Sequence, residues 1–521
     1  MTRTSNYAGS QLPNELLLLI AAFSSRQTIG RLCCVSRRFC SVFIYPLYKN
    51  ILDLDEKQSL LLGSTLRKAN QSSWRPHPAE LIRTLMLTDG KGKVKWSSVD
   101  GIRTVENLFC CVPGGGGSPL RTLHWSVCTF IDELGRLLLT PGNFPHLKEL
   151  FVKSDGSNRN FLFMHKGGLD TFSLELAVDL DDKYESLLIS KLGESMHMLP
   201  TTSPALRSLS LRLDLGWQWE DSQDFAAAIN DLRFPFLEKL DLHVRDVRDG
   251  RNSMMNFIPF LEALPQLVDL SVWVIGTEFK LERRLGFSYN LRSFKGDSID
   301  CASLLRFKPK NLNSLVLRLL PYRYPYYKWP LPTHTTQGLT RLTVTAQRED
   351  GSVLKHAHEM SPKLLASIIS SFPNLQHLDI CISDTMSDYF TDLIQLTKLE
   401  TLRVHEYRRE KIPPNQLPAA AFAGTCNRYA RRILQHLGPA LSRLASVEVH
   451  FLVDDRAPHR GTTRLGPECR CRECEEDRKS GFMLERAEIE ITYHFGVARS
   501  TANGEASSVV LEWSDVRDWR D

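Results

Sequence analysis

The chain has 521 residues, too many for one ordinary domain, and its 42% hydrophobic and 24% charged residues are typical of a folded protein. The 65 basic and 60 acidic residues leave a net charge of +5, which argues against general nucleic-acid binding. The 12 cysteines lack regular spacing, which is typical of a reducing compartment rather than of a disulfide scaffold. No signal peptide is recognisable, and no apolar run is long enough for a membrane span. We therefore expect a protein of the cytoplasm or nucleus without a membrane partner.

Residues 1–11 are expected to form a disordered tail, and a short apolar helix is predicted to follow it. Pro13 fits the first helical turn, where its missing N–H is not needed, and Glu15 suits the positive end of the helix dipole. Apolar residues at helical spacing are Leu12, Leu16, Leu19, Ile20 and Phe23, while Leu17 and Leu18 fall on other faces. A helix that is apolar almost all round is normally buried in a core or against a partner.

A second helix-like run follows, with apolar residues at Ile29, Leu32, Val35, Phe39, Val42 and Phe43. So short a segment cannot bury that many apolar side chains by itself. It therefore needs either the next domain or another protein.

Three segments of this region resemble the F-box motif: Leu12-Pro13-x-Glu15-Leu16, Leu32-x-x-Val35-Ser36-Arg37-Arg38-Phe39 and Pro46-Leu47-Tyr48. The resemblance implies a three-helix F-box at residues 12–52 that docks on the Skp-type adaptor of cullin–RING ubiquitin ligases. The adaptor-binding residues that it implies are Leu12, Pro13, Glu15, Leu16, Ile20, Leu32, Val35, Phe39 and Tyr48. The alternative is a small helical cap that binds no partner.

After a predicted linker helix at 53–80, a Leu-x-x-Leu-x-Leu-like pattern recurs irregularly over residues 81–455. The copies begin at Ile82, Leu120, Leu147, Leu169, Leu206, Leu237, Leu267, Leu291, Leu312, Leu339, Leu375, Leu399 and Leu444. Several follow a Phe-Pro or Leu-Pro pair, which ends the preceding element. Helix-like stretches lie between copies, so the sequence predicts the α/β class, with an irregular leucine-rich-repeat solenoid and a parallel inner sheet. Chance matches in a leucine-rich chain are the alternative.

Strand alternation places the residues between the motif leucines on the inner face of the sheet. That set is Glu149, Phe151, Lys239, Asp241, His243, Asp269, Trp273, Arg318, Arg341, His377, Asp379, Arg403 and His405. As substrate contacts we favour Trp273, Arg318, Arg341, Arg403 and His405, because arginine and aromatic residues are frequent at binding hot spots. The arginines and histidines of the later repeats indicate an acidic or phosphorylated partner. The alternative is a solvated face without a hot spot.

Two segments interrupt the repeat pattern and two follow it. The glycine-rich loop at 112–119 is not followed by the Lys-Ser/Thr pair of a phosphate-binding loop, so nucleotide binding is not expected there. The aromatic insertion at 321–330 is read as a contact loop that adds Tyr324 and Trp329 to the substrate site, or alternatively as a lid. Within a predicted charged loop at 456–480, Cys469, Cys471 and Cys474 lack a visible fourth ligand, so no metal is expected unless His459 or Cys426 approaches. Residues 481–521 are predicted to form a C-terminal cap.

The leading hypothesis is a substrate-recognition subunit of an SCF-type ubiquitin ligase. Its partners would be the Skp-type adaptor, through it a cullin, and an unidentified protein substrate. No Gly-x-Ser-x-Gly, His-Glu-x-x-His or Walker motif is present, so neither enzymatic activity nor a cofactor is expected. The alternative is an interaction scaffold without a ligase role, and adaptor capture discriminates the two.

Overall fold

The computed structural model of the chain describes residues 12–71, 77–89, 118–127, 131–155, 160–177, 182–215, 219–246, 256–275, 290–318, 338–345, 362–382, 389–408, 432–437, 440–454, 488–499 and 506–518. The predicted tail at 1–11, most of the glycine-rich loop, the insertion with Tyr324 and Trp329, and the loop at 456–480 lie outside the described residues. The chain divides into two compact units, Met1–Phe279 with Leu285–Phe287, and Lys280–Arg284 with Ser288–Asp521.

The first unit begins with three helices, α1 (Asn14–Ala22), α2 (Arg26–Cys33) and α3 (Arg37–Lys49). Serines begin the second and third: Ser25 Oγ accepts the N–H of Thr28, and Ser36 Oγ accepts the N–H of Phe39. A small core holds the three together, made of Leu17, Ala21, Ile29 and Phe43. α3 runs directly into strand β1 (Asn50–Leu54), and α4 (Glu56–Gln71) and α5 (Pro78–Leu81) follow.

An eight-stranded parallel sheet makes up the rest of the first unit. After β1, its strands are β2 (Thr84–Thr88), β3 (Thr122–Ser126), β4 (Glu149–Ser154), β5 (Thr171–Ala177), β6 (Ser208–Leu215), β7 (Lys239–Asp246) and β8 (Asp269–Ile275). Between them lie α6 (Ile131–Leu139), a 3-10 turn (Leu162–His165), α7 (Asp182–Met196), α8 (Leu199–Thr202), α9 (Trp219–Asn230) and α10 (Ile258–Glu262).

The second unit carries six parallel strands, β9 (Ser293–Asp297), β10 (Ser314–Arg318), β11 (Arg341–Thr345), β12 (His377–Ile382), β13 (Thr401–Arg408) and β14 (Ser446–Asp454). β15 (Glu488–Arg499) and β16 (Ala506–Asp518) pair antiparallel beyond β14. Its helices are α11 (Ser298–Arg306), α12 (Pro362–Ser371) and α13 (Phe390–Leu393), with a π turn at Ile433–Leu437. No helix in the described part of the chain is long and apolar enough to cross a membrane.

Each copy of the leucine motif coincides with one strand, from β2 to β14. Motif residues of neighbouring copies pair directly, as Leu209 does with Leu240 and Leu378 with Leu402, and they are buried. The predicted α/β class and leucine-rich-repeat-like parallel sheet are therefore confirmed. Three strands were not predicted. β15 and β16 lie in the segment for which only a C-terminal cap was expected, and they pair antiparallel. β1 was missed because Ile51-Leu52-Asp53-Leu54 lacks the motif and its pairing with β2 is broken by a bulge near Asp53.

The prolines before the motif act as turn residues. The N–H of Leu147 donates to the carbonyl of Phe144 at 3.4 Å, and Leu237 donates to Phe234 in the same way at 3.3 Å. The intervening Pro145 and Pro235 thus occupy the second position of a four-residue turn, where their fixed φ is favourable. The turn brings the first motif residue to the start of the strand.

Because the repeats stack on buried leucines, truncating a motif leucine is predicted to lower the stability of the fold strongly. Leu240→Ala and Leu378→Ala each empty a buried position in one unit, so each should lower the free energy of unfolding by about 2–5 kcal/mol. Urea denaturation measures the change. A loss of a few tenths of a kcal/mol, as at an exposed leucine, would contradict the packing.

A second prediction concerns Asp300, which is buried in α11 and whose backbone N–H donates to Asp297 Oδ1 at 2.8 Å. Burial, with Asp297 close by, raises the pKa of Asp300 well above its ordinary value. The folded chain therefore holds this proton more tightly than the unfolded chain. The resulting stability is complete below the unfolded pKa of about 4 and is lost as pH rises towards the folded pKa.

Asp300→Asn cannot ionise, so the variant should lose less stability than the wild type between about pH 4 and pH 8. Urea midpoints measured across that range test the difference. Asp224→Asn, at an exposed position of α9, is the matched control and should follow the wild type. Parallel pH profiles for Asp300→Asn and the wild type would refute the prediction.

Candidate functional site

The first helix presents two different apolar faces. Leu17 and Ala21 point into the three-helix core, whereas Leu12, Leu16, Leu19 and Ile20 are exposed. Phe23, at the end of α1, is 87% exposed. An exposed apolar surface of this kind is typical of an interaction site.

The other residues implied by the F-box resemblance divide into surface and packed positions. Val35, Pro13 and Glu15 are exposed, so they are available to a partner. Leu32 and Phe39 are partly buried against the three-helix core, where the Phe39 ring meets Phe43 edge-on at 5.6 Å between centroids. Tyr48 is half-buried. A contact of these residues with an adaptor stays a prediction.

Phe23 is absent from the residues predicted to bind the adaptor, yet it is the most exposed large apolar side chain of the described residues. Its helical spacing with Leu16 and Ile20 was the available signal. The spacing alone does not separate it from a core residue, because Leu17 and Ala21 turn out to carry the inward stripe.

Two arginines hold the helices in place. Arg26 Nη2 donates to the carbonyl of Leu47 at 3.1 Å and to that of Asn50 at 2.6 Å, which ties α2 to the junction of α3 and β1. Arg38 Nη2 donates to the carbonyl of Leu12 and, at 3.1 Å, to Asn14 Oδ1. Desolvation lowers the pKa of Arg26. The start of α1, with its exposed leucines, is therefore fixed to α3 by the Arg38 contacts.

On the open face of the first unit, charged side chains pair across strands. Arg212 Nη2 lies 3.2 Å from Asp241 Oδ2, Lys239 Nζ lies 3.8 Å from Asp269 Oδ2, and Lys153 pairs with Glu175. Aromatic rings also stack across strands: His124 lies on Phe151 with 4.1 Å between centroids. Burial lowers the pKa of His124, so this stack is favoured with a neutral imidazole.

Trp273 is not an open surface residue. It is 8% exposed, and its ring lies 4.7 Å from that of His243 on the neighbouring strand. The alternation of β8 placed it on the inner face, but alternation does not show how far neighbouring side chains cover it. Most of the surface of Trp273 is already in contact with the chain, and its contact with a substrate stays a prediction.

On the open face of the second unit, five residues form a network across β12, β13 and β14. Arg403 Nε lies 2.6 Å from Glu448 Oε2, and its Nη1 lies 3.9 Å from Asp379 Oδ2. His405 Nε2 lies 3.0 Å from Asp379 Oδ1, and His450 Nε2 lies 3.5 Å from Glu448 Oε2. The two imidazoles stack with 4.5 Å between centroids. The carboxylates of Asp379 and Glu448 thus each face Arg403 and one histidine.

Arg318, Arg341, Arg403 and His405 therefore occupy different environments. Arg318 is 5% exposed, so it differs from the expected open surface residue. Arg403 and His405 belong to the network, whereas Arg341 is exposed and stands two strands away on β11. Tyr324 and Trp329 lie outside the described residues. One contiguous recognition area containing all of them stays a prediction.

The network predicts unequal effects for two charge reversals. Arg403→Glu places a third carboxylate between Asp379 and Glu448, so it should lower the free energy of unfolding by on the order of 1 kcal/mol. Arg341→Glu is the matched control on the same sheet face and should change stability much less. Urea denaturation of both variants measures the difference, and equal effects would contradict the network.

Residues 10–53 match a family model described as F-box-like, which confirms the F-box resemblance. No curated protein matches the chain. Among solved structures, it is similar to a chain of the Rad7–Elc1 complex of yeast, at 13% identity over 78% of this chain and 92% of that chain, with a TM-score of 0.36. It is also similar to a chain of the TLR13–ssRNA13 complex, at 13% identity over 65% of this chain and 56% of that chain, with a TM-score of 0.26.

Proposed function

We propose that this chain, an F-box protein with leucine-rich-repeat-like units, is the substrate-recognition subunit of an SCF-type cullin–RING ubiquitin ligase. The observation that carries the proposal is the exposed apolar surface of α1, formed by Leu12, Leu16, Leu19, Ile20 and Phe23 within the matched residues. F-box domains bind Skp-type adaptors. An adaptor bound to α1 would cover this apolar surface.

The mechanism in this proposal is positional. The F-box binds the adaptor and through it a cullin, and the repeat units bind a protein substrate, so that substrate lysines stay near the ligase's catalytic partner. Tethering raises the effective concentration of the substrate without any catalytic group from this chain. The chain itself is then not an enzyme, and it acts in the cytoplasm or nucleus. A scaffold without a ligase role is the competing function.

Double substitution on the exposed face of α1 tests adaptor binding. Leu16→Ala with Ile20→Ala removes two exposed apolar side chains and leaves Leu17 and Ala21 in the core, so the helices should stay folded while adaptor capture is lost. The measurement is co-purification with a Skp-type adaptor. For two interface anchors we expect at least a hundredfold loss of affinity.

The matched control is Leu187→Ala on α7, because Leu187 is 43% exposed and Leu16 is 45% exposed. It should retain full adaptor capture. Unchanged capture by the double variant would remove the support for an adaptor-binding F-box and favour the scaffold.

A further inference from the structure

A small cavity opens in the first unit where two helical segments return to the sheet. One wall is the end of α6 with the turn up to Pro145, and the other is the segment from His165 to Gly167. These segments precede β4 and β5, so the cavity lies where the strands begin and not on the open face of the sheet. Its volume is about 240 Å³, below the roughly 300–1,000 Å³ of pockets for drug-sized ligands. The cavity therefore suits a single residue of a partner.

Hydrogen bonds hold both walls of the cavity in place. Asn143 Nδ2 donates to the carbonyl of Leu137 at 3.1 Å, which folds the turn back onto the end of α6. On the other side, the buried Ser203 Oγ donates to the carbonyl of Lys166 at 3.2 Å and accepts the N–H of Leu169 at 3.1 Å. The cavity is thus formed before a ligand binds, which reduces the ordering cost of binding.

The ammonium group of Lys166 gives the cavity its charge. Lys166 is the only lysine, arginine or acidic residue of the lining, and its side chain is half-buried. Among the described residues no carboxylate lies within ion-pair distance of it, and desolvation lowers its pKa. An anion bound in the cavity would supply the opposite charge that this desolvated ammonium lacks.

The end of α6 contributes acceptors and apolar surface to the same cavity. The last two carbonyls of the helix, at Leu138 and Leu139, accept no hydrogen bond from the other described residues. The helix dipole adds partial negative charge at this end, which disfavours a doubly charged anion. Phe144 and Pro145 extend the apolar wall that the two leucines begin. A matching ligand has one negative charge, an N–H donor and an apolar group.

We propose that this cavity binds the C-terminal residue of a protein partner, with an apolar side chain at that residue. The terminal carboxylate pairs with Lys166, and the apolar side chain packs on Phe144. The backbone N–H of the terminal residue donates to the carbonyl of Leu138 or Leu139. A C-terminal residue carries these three groups on one Cα, whereas a side-chain carboxylate lacks the apolar group and a free apolar acid lacks the N–H. The inference goes beyond the proposed function and does not depend on a ligase role.

The probe is a pool of fluorescent ten-residue peptides, degenerate except for a C-terminal leucine with a free carboxylate. Matched pools end in leucine amide or in asparagine with a free carboxylate, and fluorescence polarisation measures binding to the full chain. The leucine acid should bind about tenfold more tightly than either matched pool, because the amide loses the charge and asparagine loses the apolar contact. Equal binding of the leucine acid and either matched pool overturns the proposal.

Lys166→Met keeps an unbranched apolar side chain and removes the charge, so it should abolish the preference for the free acid over the amide. Lys191→Met on α7 is the matched control, because the ammonium of Lys191 pairs with Glu194 at 2.8 Å outside the cavity. It should keep the wild-type preference, and urea midpoints show that both variants are folded. A preference that survives Lys166→Met overturns the assignment.

Amine acetylation locates the site on the wild-type chain, whether or not Lys166→Met folds. The chain is treated with a limiting amount of an acetylating reagent, and mass spectrometry measures the labelling of each lysine with and without the leucine-acid pool. The pool should slow labelling of Lys166 about threefold or more, because the pairing covers its amine, and should leave Lys191 unchanged. Unchanged labelling of Lys166 at a saturating pool concentration refutes the site.

Competition with isocaproate separates a chain terminus from a free apolar acid. Isocaproate has the carboxylate and the side chain of leucine but no N–H, whereas N-acetyl-leucine has all three groups. Isocaproate should displace the leucine-acid pool about fivefold less well, as expected for one lost hydrogen bond to the end of α6. Equal displacement by the two compounds would assign the cavity to a small acid and overturn the proposal.

Discussion

Parallel pairing in register between successive motif copies is the constraint on which the other features of each unit depend. Leu209, Leu240 and Leu270 stand beside one another on neighbouring strands, as do Leu342, Leu378 and Leu402 in the second unit. Because side chains alternate along a strand, a row of buried leucines fixes a row of open positions next to it. The surface chemistry of each unit is therefore arranged in rows whose members come from distant parts of the chain.

The same constraint explains which parts of the fold could be predicted from the sequence. A motif that repeats within one strand predicts that strand, and the copies from Ile82 to Leu444 do so. β1 is different, because it has a bulge and lacks the motif. Its position is set by the preceding helix and by Arg83, whose N–H donates to the carbonyl of Lys49 at 2.8 Å. That contact joins residues far apart in sequence, so no local pattern announces it.

In the candidate sites, too, some features could be predicted from the sequence and others could not. Alternation correctly gives the face on which Arg341, Arg403 and His405 lie, but it does not give their partners. Arg403 meets Asp379 and Glu448 only because β12 and β14 flank β13 in register. In α1, helical periodicity indicates an apolar element, but only packing separates the inward Leu17 from the exposed Leu16. Local sequence thus predicts where a side chain points better than it predicts what that side chain contacts.

The junction between the F-box and the first repeat links these local features to a positional function. α3 continues into β1 without an intervening residue, and Arg26 binds carbonyls on both sides of the junction, at Leu47 and Asn50. β1 in turn pairs with β2, so the apolar surface of α1 connects to the sheet through hydrogen-bonded backbone rather than through a flexible linker. Effective concentration depends on how narrowly a tether restricts distance. A stiff junction of this kind restricts the distance more than a random coil of equal length would. The side chain that braces the junction, Arg26, also belongs to the F-box helices.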